Sequence, residues 1–118
     1  MSLQIYKDSY STIVENVQQQ ATPSSSLSAI DITNYTAVFY LSDALSNPAI
    51  ISKSSTSNSQ ILYTSATAGQ MEIYINNTDT KSMNAGPYYY TIYLIDQNNK
   101  QYHVITDKIK LLDTVDSI

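Results

Sequence analysis

His103 is the only histidine in this 118-residue chain, and the chain has no cysteine. A catalytic relay or a metal centre that uses an imidazole needs a paired nucleophile or further ligands. His103 stands between Tyr102 and Val104 in a run of strand-forming residues. No serine lies in a Gly-x-Ser-x-Gly nucleophile motif. We therefore expect His103 to face solvent or a sheet neighbour and to have a structural role.

Asp96 begins the densest cluster of oxygen ligands, Asp-Gln-Asn-Asn-Lys at 96–100. A calcium loop that started there would end at Asp107, but Lys100 replaces a ligand and Gln101 the turn glycine. Asp and Asn are also turn formers, which explains the segment without a metal. The other carboxylates are spread over different turns and strands, and no pattern pairs two of them as a glycosidase requires. The sequence predicts no enzyme, no cofactor and no metal site.

The charge balance argues against nucleic acid as a partner. Six lysines and no arginine stand against ten acidic residues, for a net charge of −4, and the lysines are scattered. A nucleic-acid binder needs a cationic face that replaces phosphate counterions. There is also no apolar run of about 18 residues and no basic segment followed by an apolar core. We expect no membrane partner, no signal peptide and no transmembrane segment.

Tyrosine is the remaining candidate for recognition, with eleven copies in a chain that has one Phe and no Trp. Exposed tyrosines on a sheet can anchor a protein interface or stack on sugar rings. Tyr89, Tyr93 and Tyr102 are the candidate interface residues, because a two-residue period places them on the outward side of their strands. Ordinary sheet packing is the alternative explanation of the tyrosine-rich segment.

Hydrophobic alternation predicts an all-β fold, an antiparallel β-sandwich of about seven strands in two sheets. The chain is expected to form a single domain, 1–118, in which 1–9 is either a frayed end or a first edge segment and 113–118 is a frayed end. Phe39 is expected at the centre of the core, residues 18–28 form a loop, and the strand that starts at Tyr88 is apolar on both faces and therefore central. The strands are expected at 11–17, 35–42, 49–53, 60–64, 70–76, 88–96 and 101–106, the last continuing through 108–112 after an irregularity at Asp107.

Two sets of motifs carry a resemblance to known domains. The segment 85–90, Ala-Gly-Pro-Tyr-Tyr-Tyr, resembles the tyrosine corner of immunoglobulin-like domains, with Tyr88 as the corner residue, although the disulfide cysteines and the core tryptophan are missing. The order of the segments 31–40, 68–75 and 79–96 resembles immunoglobulin-like virion domains of tailed phages, in particular the N-terminal domain of phage baseplate upper proteins. The match spans about 31–115, with Asn34 and Asp107 at positions where glycine is common.

The resemblance implies that the β-sandwich is immunoglobulin-like. It also implies a non-enzymatic structural protein of a phage or prophage, a tail or baseplate assembly module that acts through protein-protein contacts. Its implied location is the virion, after synthesis in the host bacterial cytoplasm. The implied partners are other virion or tail proteins, or further copies of the chain in a homo-oligomer. The alternative is a carbohydrate-binding or adhesion module of a receptor-binding device or cell surface. That alternative predicts a coplanar aromatic platform and glycan binding that is lost on Tyr74→Ala or Tyr93→Ala.

Overall fold

The computed structural model describes residues 3–20 and 27–113, and the regular secondary structure in this part of the chain is β-strand apart from one short turn. A short 3₁₀ turn, Ala66–Ala68, precedes β8. The strands are β1 (Leu3–Tyr6), β2 (Ser11–Asn16), β3 (Gln18–Gln20), β4 (Leu27–Ala29), β5 (Thr36–Ser42), β6 (Ile51–Ser54), β7 (Ile61–Ser65), β8 (Gln70–Ile75), β9 (Gly86–Ile95) and β10 (Gln101–Leu112).

Eight of these strands form two sheets, so the predicted all-β, two-sheet organisation is confirmed. The larger sheet has the order β1-β10-β9-β5-β6, and the smaller one has the order β2-β8-β7. The predicted number of about seven strands is too low by one. The additional strand is β1, which pairs with β10 in parallel at the edge of the larger sheet and directs Leu3 and Ile5 towards the core. Residues 3–6 are therefore an edge strand and not a frayed end. The predicted loop 18–28 is also partly wrong, because its ends form the small β3–β4 hairpin.

The core lies between the two sheets. It is filled by the side chains that alternate residues of the strands direct inward. Phe39 is fully buried, as predicted, and its ring stacks on Tyr90 with centroids 5.7 Å apart. Met71, Ile73 and Ile75 on β8 are also fully buried. Each such side chain contributes about 1.5–3 kcal/mol when removed from water. The predicted central strand is confirmed, because β9 occupies the middle of the five-stranded sheet.

Gly69 immediately precedes β8 and lies against the two residues that flank the β3–β4 hairpin, Val17 and Ile30. Its φ is +70°, and a Cβ atom there would lie 2.7 Å from the carbonyl oxygens of Val17 and Ile30. Its own carbonyl accepts a hydrogen bond from the Val17 amide at 2.8 Å. Glycine is required here for both reasons, since a left-handed backbone and so close an approach exclude a side chain.

Lys53 on the edge strand β6 points inward and is only 6% exposed. Its Nζ lies 2.7 Å from Oδ2 of Asp79, in the β8–β9 connection, and the same oxygen accepts the Asn76 amide at 2.7 Å. An inward-pointing lysine is one of the devices that protect an edge strand from pairing with another chain. The ion pair also ties the edge of the larger sheet to the loop that leaves β8.

Candidate protein-protein interface

The two-residue period of β9 sends its tyrosines to opposite sides of the larger sheet. Tyr88 and Tyr90 are buried between the sheets, whereas Tyr89 and Tyr93 are partly exposed on the outer face. Because β9 is the middle strand, its outward side chains have neighbours on both sides. The structure therefore holds Tyr89 and Tyr93 on a well-supported surface.

Aromatic contacts across three strands order this outer face. The ring of Tyr93 lies edge-to-face with Tyr40 on β5, with centroids 6.1 Å apart and an interplanar angle of 61°. On the other side it lies edge-to-face with His103 on β10, at 5.9 Å and 76°. Such pairs contribute about 0.5–1.5 kcal/mol beyond area burial. Tyr40 extends the candidate site, and the β5 alternation could have indicated its outward direction.

His103 has structural partners on the same face. Its Nε2 lies 2.7 Å from Oγ1 of Thr106, and that hydroxyl lies 2.9 Å from Oγ1 of Thr91. The imidazole, the two hydroxyls and the ring of Tyr93 thus form one connected network. Within the described residues, no three His, Cys, Asp or Glu side chains gather in a group that could hold a metal ion.

A groove of about 400 Å³ runs along the outer face beside the β5–β6 loop. Its lining contains three tyrosines, Tyr40, Tyr89 and Tyr93, and two smaller apolar residues, Leu45 and Ala49. The polar lining residues are Ser42, Ser46, Asn47 and Thr91. Leu45 is 59% exposed at the rim. A hydrogen bond of 2.9 Å from Nδ2 of Asn47 to the Asp43 carboxylate shapes the loop. The groove offers aromatic surface with a few polar groups, which is the composition of protein interface cores.

Tyr102 is the third candidate interface residue. Its side chain lies on the inner side of the larger sheet, so the predicted outward orientation is wrong. It pairs with Leu94, which is buried, and its ring lies edge-to-face with Tyr35 at 6.1 Å. The reason is a β-bulge at Val104, where the register shifts between His103 and Ile105. One extra residue in a strand moves every side chain that precedes it to the opposite face of the sheet. The predicted irregularity at Asp107 was therefore placed too late in the strand.

Tyr102 instead borders a second cavity of about 390 Å³, which lies near the start of β3. The cavity lining includes Val17, Ile30 and Tyr35. The Tyr102 hydroxyl donates a hydrogen bond to Oδ2 of Asp96 at 3.1 Å. Tyr102 remains 47% exposed, so it is accessible at a site separate from the groove.

Asp96 caps the β9–β10 hairpin turn. Its Oδ1 accepts hydrogen bonds from the amides of Lys100 and Asn98, at 2.9 and 2.8 Å. The bond from Lys100, followed by those from Asn98 and Tyr102, lowers the pKa of Asp96. Its carboxylate is thus used by the turn, as expected for an Asp-Asn connection.

The Tyr88 hydroxyl donates a 2.6 Å hydrogen bond to the carbonyl of Asn84, four residues upstream. In a tyrosine corner, the tyrosine hydroxyl bonds to backbone a few residues upstream in the same way. Comparison of the chain with protein-family models gives no match, and comparison with curated proteins gives none either. No helix among the described residues has the length and apolarity to cross a membrane.

Proposed function

We propose that this chain is a non-enzymatic assembly module of a phage or prophage particle, of the tail or baseplate type, and that its sandwich is immunoglobulin-like. The observation that carries the assembly role is the tyrosine-lined groove on the outer face of the larger sheet. Large, rigid aromatic anchors around a concave surface provide much of the binding energy in protein interfaces. The phage assignment rests on the ordered motifs between Asp31 and Asp96, and the Tyr88–Asn84 hydrogen bond supports the immunoglobulin-like part.

The mechanism is burial of Tyr40, Tyr89 and Tyr93 against a neighbouring virion protein. The groove is already formed, and aromatic neighbours restrain Tyr40 and Tyr93. Restrained side chains lose little conformational entropy when they bind. The location proposed for the protein is therefore the virion.

The test combines the purified protein with each product of the adjacent reading frames and measures the mass of the complexes by light scattering after gel filtration. We expect a stable complex with a tail or baseplate product. Tyr89→Thr and Tyr93→Thr keep a strand-forming residue but remove the aromatic ring, and each is expected to weaken the complex at least about tenfold, or about 1.4 kcal/mol.

Tyr6→Thr is the matched control, because Tyr6 is an exposed tyrosine of strand β1 that does not line the groove. It is expected to bind the tail product like the wild-type protein. Absence of a complex with every tail or baseplate product would reject the assembly role. Equal losses in all three variants would reject the groove as the contact surface.

Carbohydrate binding is the second candidate, favoured by the combination of tyrosine rings with the hydroxyl and amide groups of Ser42, Thr91 and Asn47 in the groove. The 61° between Tyr40 and Tyr93 departs from the coplanar platform that this function predicts. Tyr74 belongs to the other sheet. Glycan-array signals that disappear in Tyr93→Ala and persist in Tyr74→Ala would therefore favour this second function.

A further inference from the structure

The outer faces of the two sheets carry opposite charges. On the larger sheet, Lys108 and Lys110 pair with Tyr89 and Pro87, and all four side chains lie on the outer side. None of the strand residues described on that side is acidic. We call this surface the basic face; it consists of Lys108, Lys110 and the groove tyrosines Tyr40, Tyr89 and Tyr93. It is positive in a chain whose net charge is −4.

The outer face of the smaller sheet has the complementary character. Glu72 is opposite Val14 on one side and Leu62 on the other, and none of the outward strand residues described there is a lysine. Tyr10 stacks on Tyr74 beside them, with centroids 6.1 Å apart at an angle of 22°. We call this surface the acidic face; it consists of Tyr10, Val14, Leu62, Glu72 and Tyr74.

The acidic face exposes several large apolar side chains. Val14 is 60% exposed and Tyr10 is 58% exposed, although both belong to a surface with ordered aromatic packing. The Tyr74 hydroxyl donates a 2.9 Å hydrogen bond to Glu72, which keeps the carboxylate beside the apolar residues. Exposed apolar side chains grouped around one carboxylate on the central strand are a candidate interaction site.

We propose that the acidic face of one copy binds the basic face of the next copy, so that the chain assembles head to tail. This deepens the proposed function, on which it rests, by naming the partner of the groove. A basic face against another basic face would place Lys108 and Lys110 near like charges, which costs stability, whereas the basic face and Glu72 attract. A contact between two different surfaces is heterologous and produces a ring or an open stack rather than a closed dimer.

The test uses charge reversal and sedimentation velocity over micromolar to millimolar concentration at low ionic strength. We expect the wild-type mass to increase with concentration and to decrease when salt screens the charges. The variants Lys108→Glu/Lys110→Glu and Glu72→Lys each make the two faces alike in charge. Each is expected to raise the dissociation constant at least about tenfold.

Complementation provides the decisive measurement. A mixture of the two variants again contains opposite faces, and so does the triple variant that combines all three changes. Both are expected to associate with nearly the wild-type dissociation constant. Lys81→Glu is the control, because Lys81 is exposed in the β8–β9 connection and belongs to neither face; it is expected to leave association unchanged.

A wild-type protein that stays monomeric over the whole concentration range would overturn the head-to-tail proposal. So would charge variants that associate like the wild type, or a mixture that fails to restore association while circular dichroism shows both variants folded. These results concern only contacts between identical copies. A complex with a tail product would survive them, so failure here is distinguishable from failure of the proposed function.

Discussion

Breaking the buried ion pair between Lys53 and Asp79 is expected to cost about 3 kcal/mol of unfolding free energy. Lys53 is 6% exposed and Asp79 is 23% exposed, with 2.7 Å between the charged atoms. Loss of one partner from a buried pair costs roughly 3–5 kcal/mol, because the other charge stays in the interior without compensation. Because Asp79 is partly exposed, we expect the loss of unfolding free energy to lie at the lower end of this range. Asp79→Asn removes the charge and keeps an oxygen that can accept the Asn76 amide, so the loss reports on the charge alone.

The double variant Lys53→Met/Asp79→Asn separates the ion pair from general packing. Methionine retains a long, flexible, apolar side chain in place of the lysine stem, and no buried charge remains. We expect the double variant to lie within about 1 kcal/mol of the wild type, since replacing a buried pair by apolar groups is often neutral. Urea unfolding followed by circular dichroism measures all three proteins. A loss below about 1 kcal/mol in Asp79→Asn would refute the reasoning, because the pair would then behave like an exposed one; a double variant as unstable as the single would refute it also.

Three further predictions concern the frame around the site. Tyr88→Phe removes the hydroxyl bonded to Asn84 and is expected to lower the unfolding free energy by about 1 kcal/mol in urea titrations; an unchanged midpoint would contradict a stabilising corner. Burial, followed by the negative charge of Asp107, raises the pKa of Glu15 above 4.5. The folded protein therefore binds the carboxyl proton of Glu15 more tightly than the unfolded chain does. As a result, the contribution of Glu15 to stability falls as pH rises above 4.5. Glu15→Gln should therefore raise the thermal midpoint at neutral pH, with a gain that shrinks in acid; a gain independent of pH would show that the charge is not the cause. Gly69→Ala should cost more than about 2 kcal/mol, since its Cβ meets two backbone oxygens at 2.7 Å, and full stability in a denaturation curve would contradict that clash.

Much of the candidate site follows from the period of β9 and β5. Alternation alone places Tyr89 and Tyr93 opposite Tyr90, and the same pattern in β5 separates Tyr40 from Phe39. A hydrophobic period reports faces and carries no information on which strands are neighbours. The groove arises because β5 pairs with β9, which brings Tyr40 beside Tyr93.

Tyr102 illustrates the opposite case. A two-residue period that is continued back from Ile105 predicts an outward Tyr102, but Val104 adds one residue to β10 and reverses the direction. Nothing in the local composition distinguishes this bulge from regular strand, since Val104 is itself a strong strand former. The bulge becomes visible only when β10 is aligned with β9.

The amino-acid sequence by itself determined the all-β class, the absence of disulfide and histidine-pair chemistry, the buried position of Phe39 and the central position of β9. These properties depend on composition and on a local period, both of which can be read without knowing the partners of a strand. Only the tertiary structure decided that β1 joins the larger sheet, that Lys53 meets Asp79, and that lysines and a glutamate occupy opposite outer faces. Those outcomes are set by pairing between distant segments, and the free energy that selects one pairing over another comes from the complete packed core.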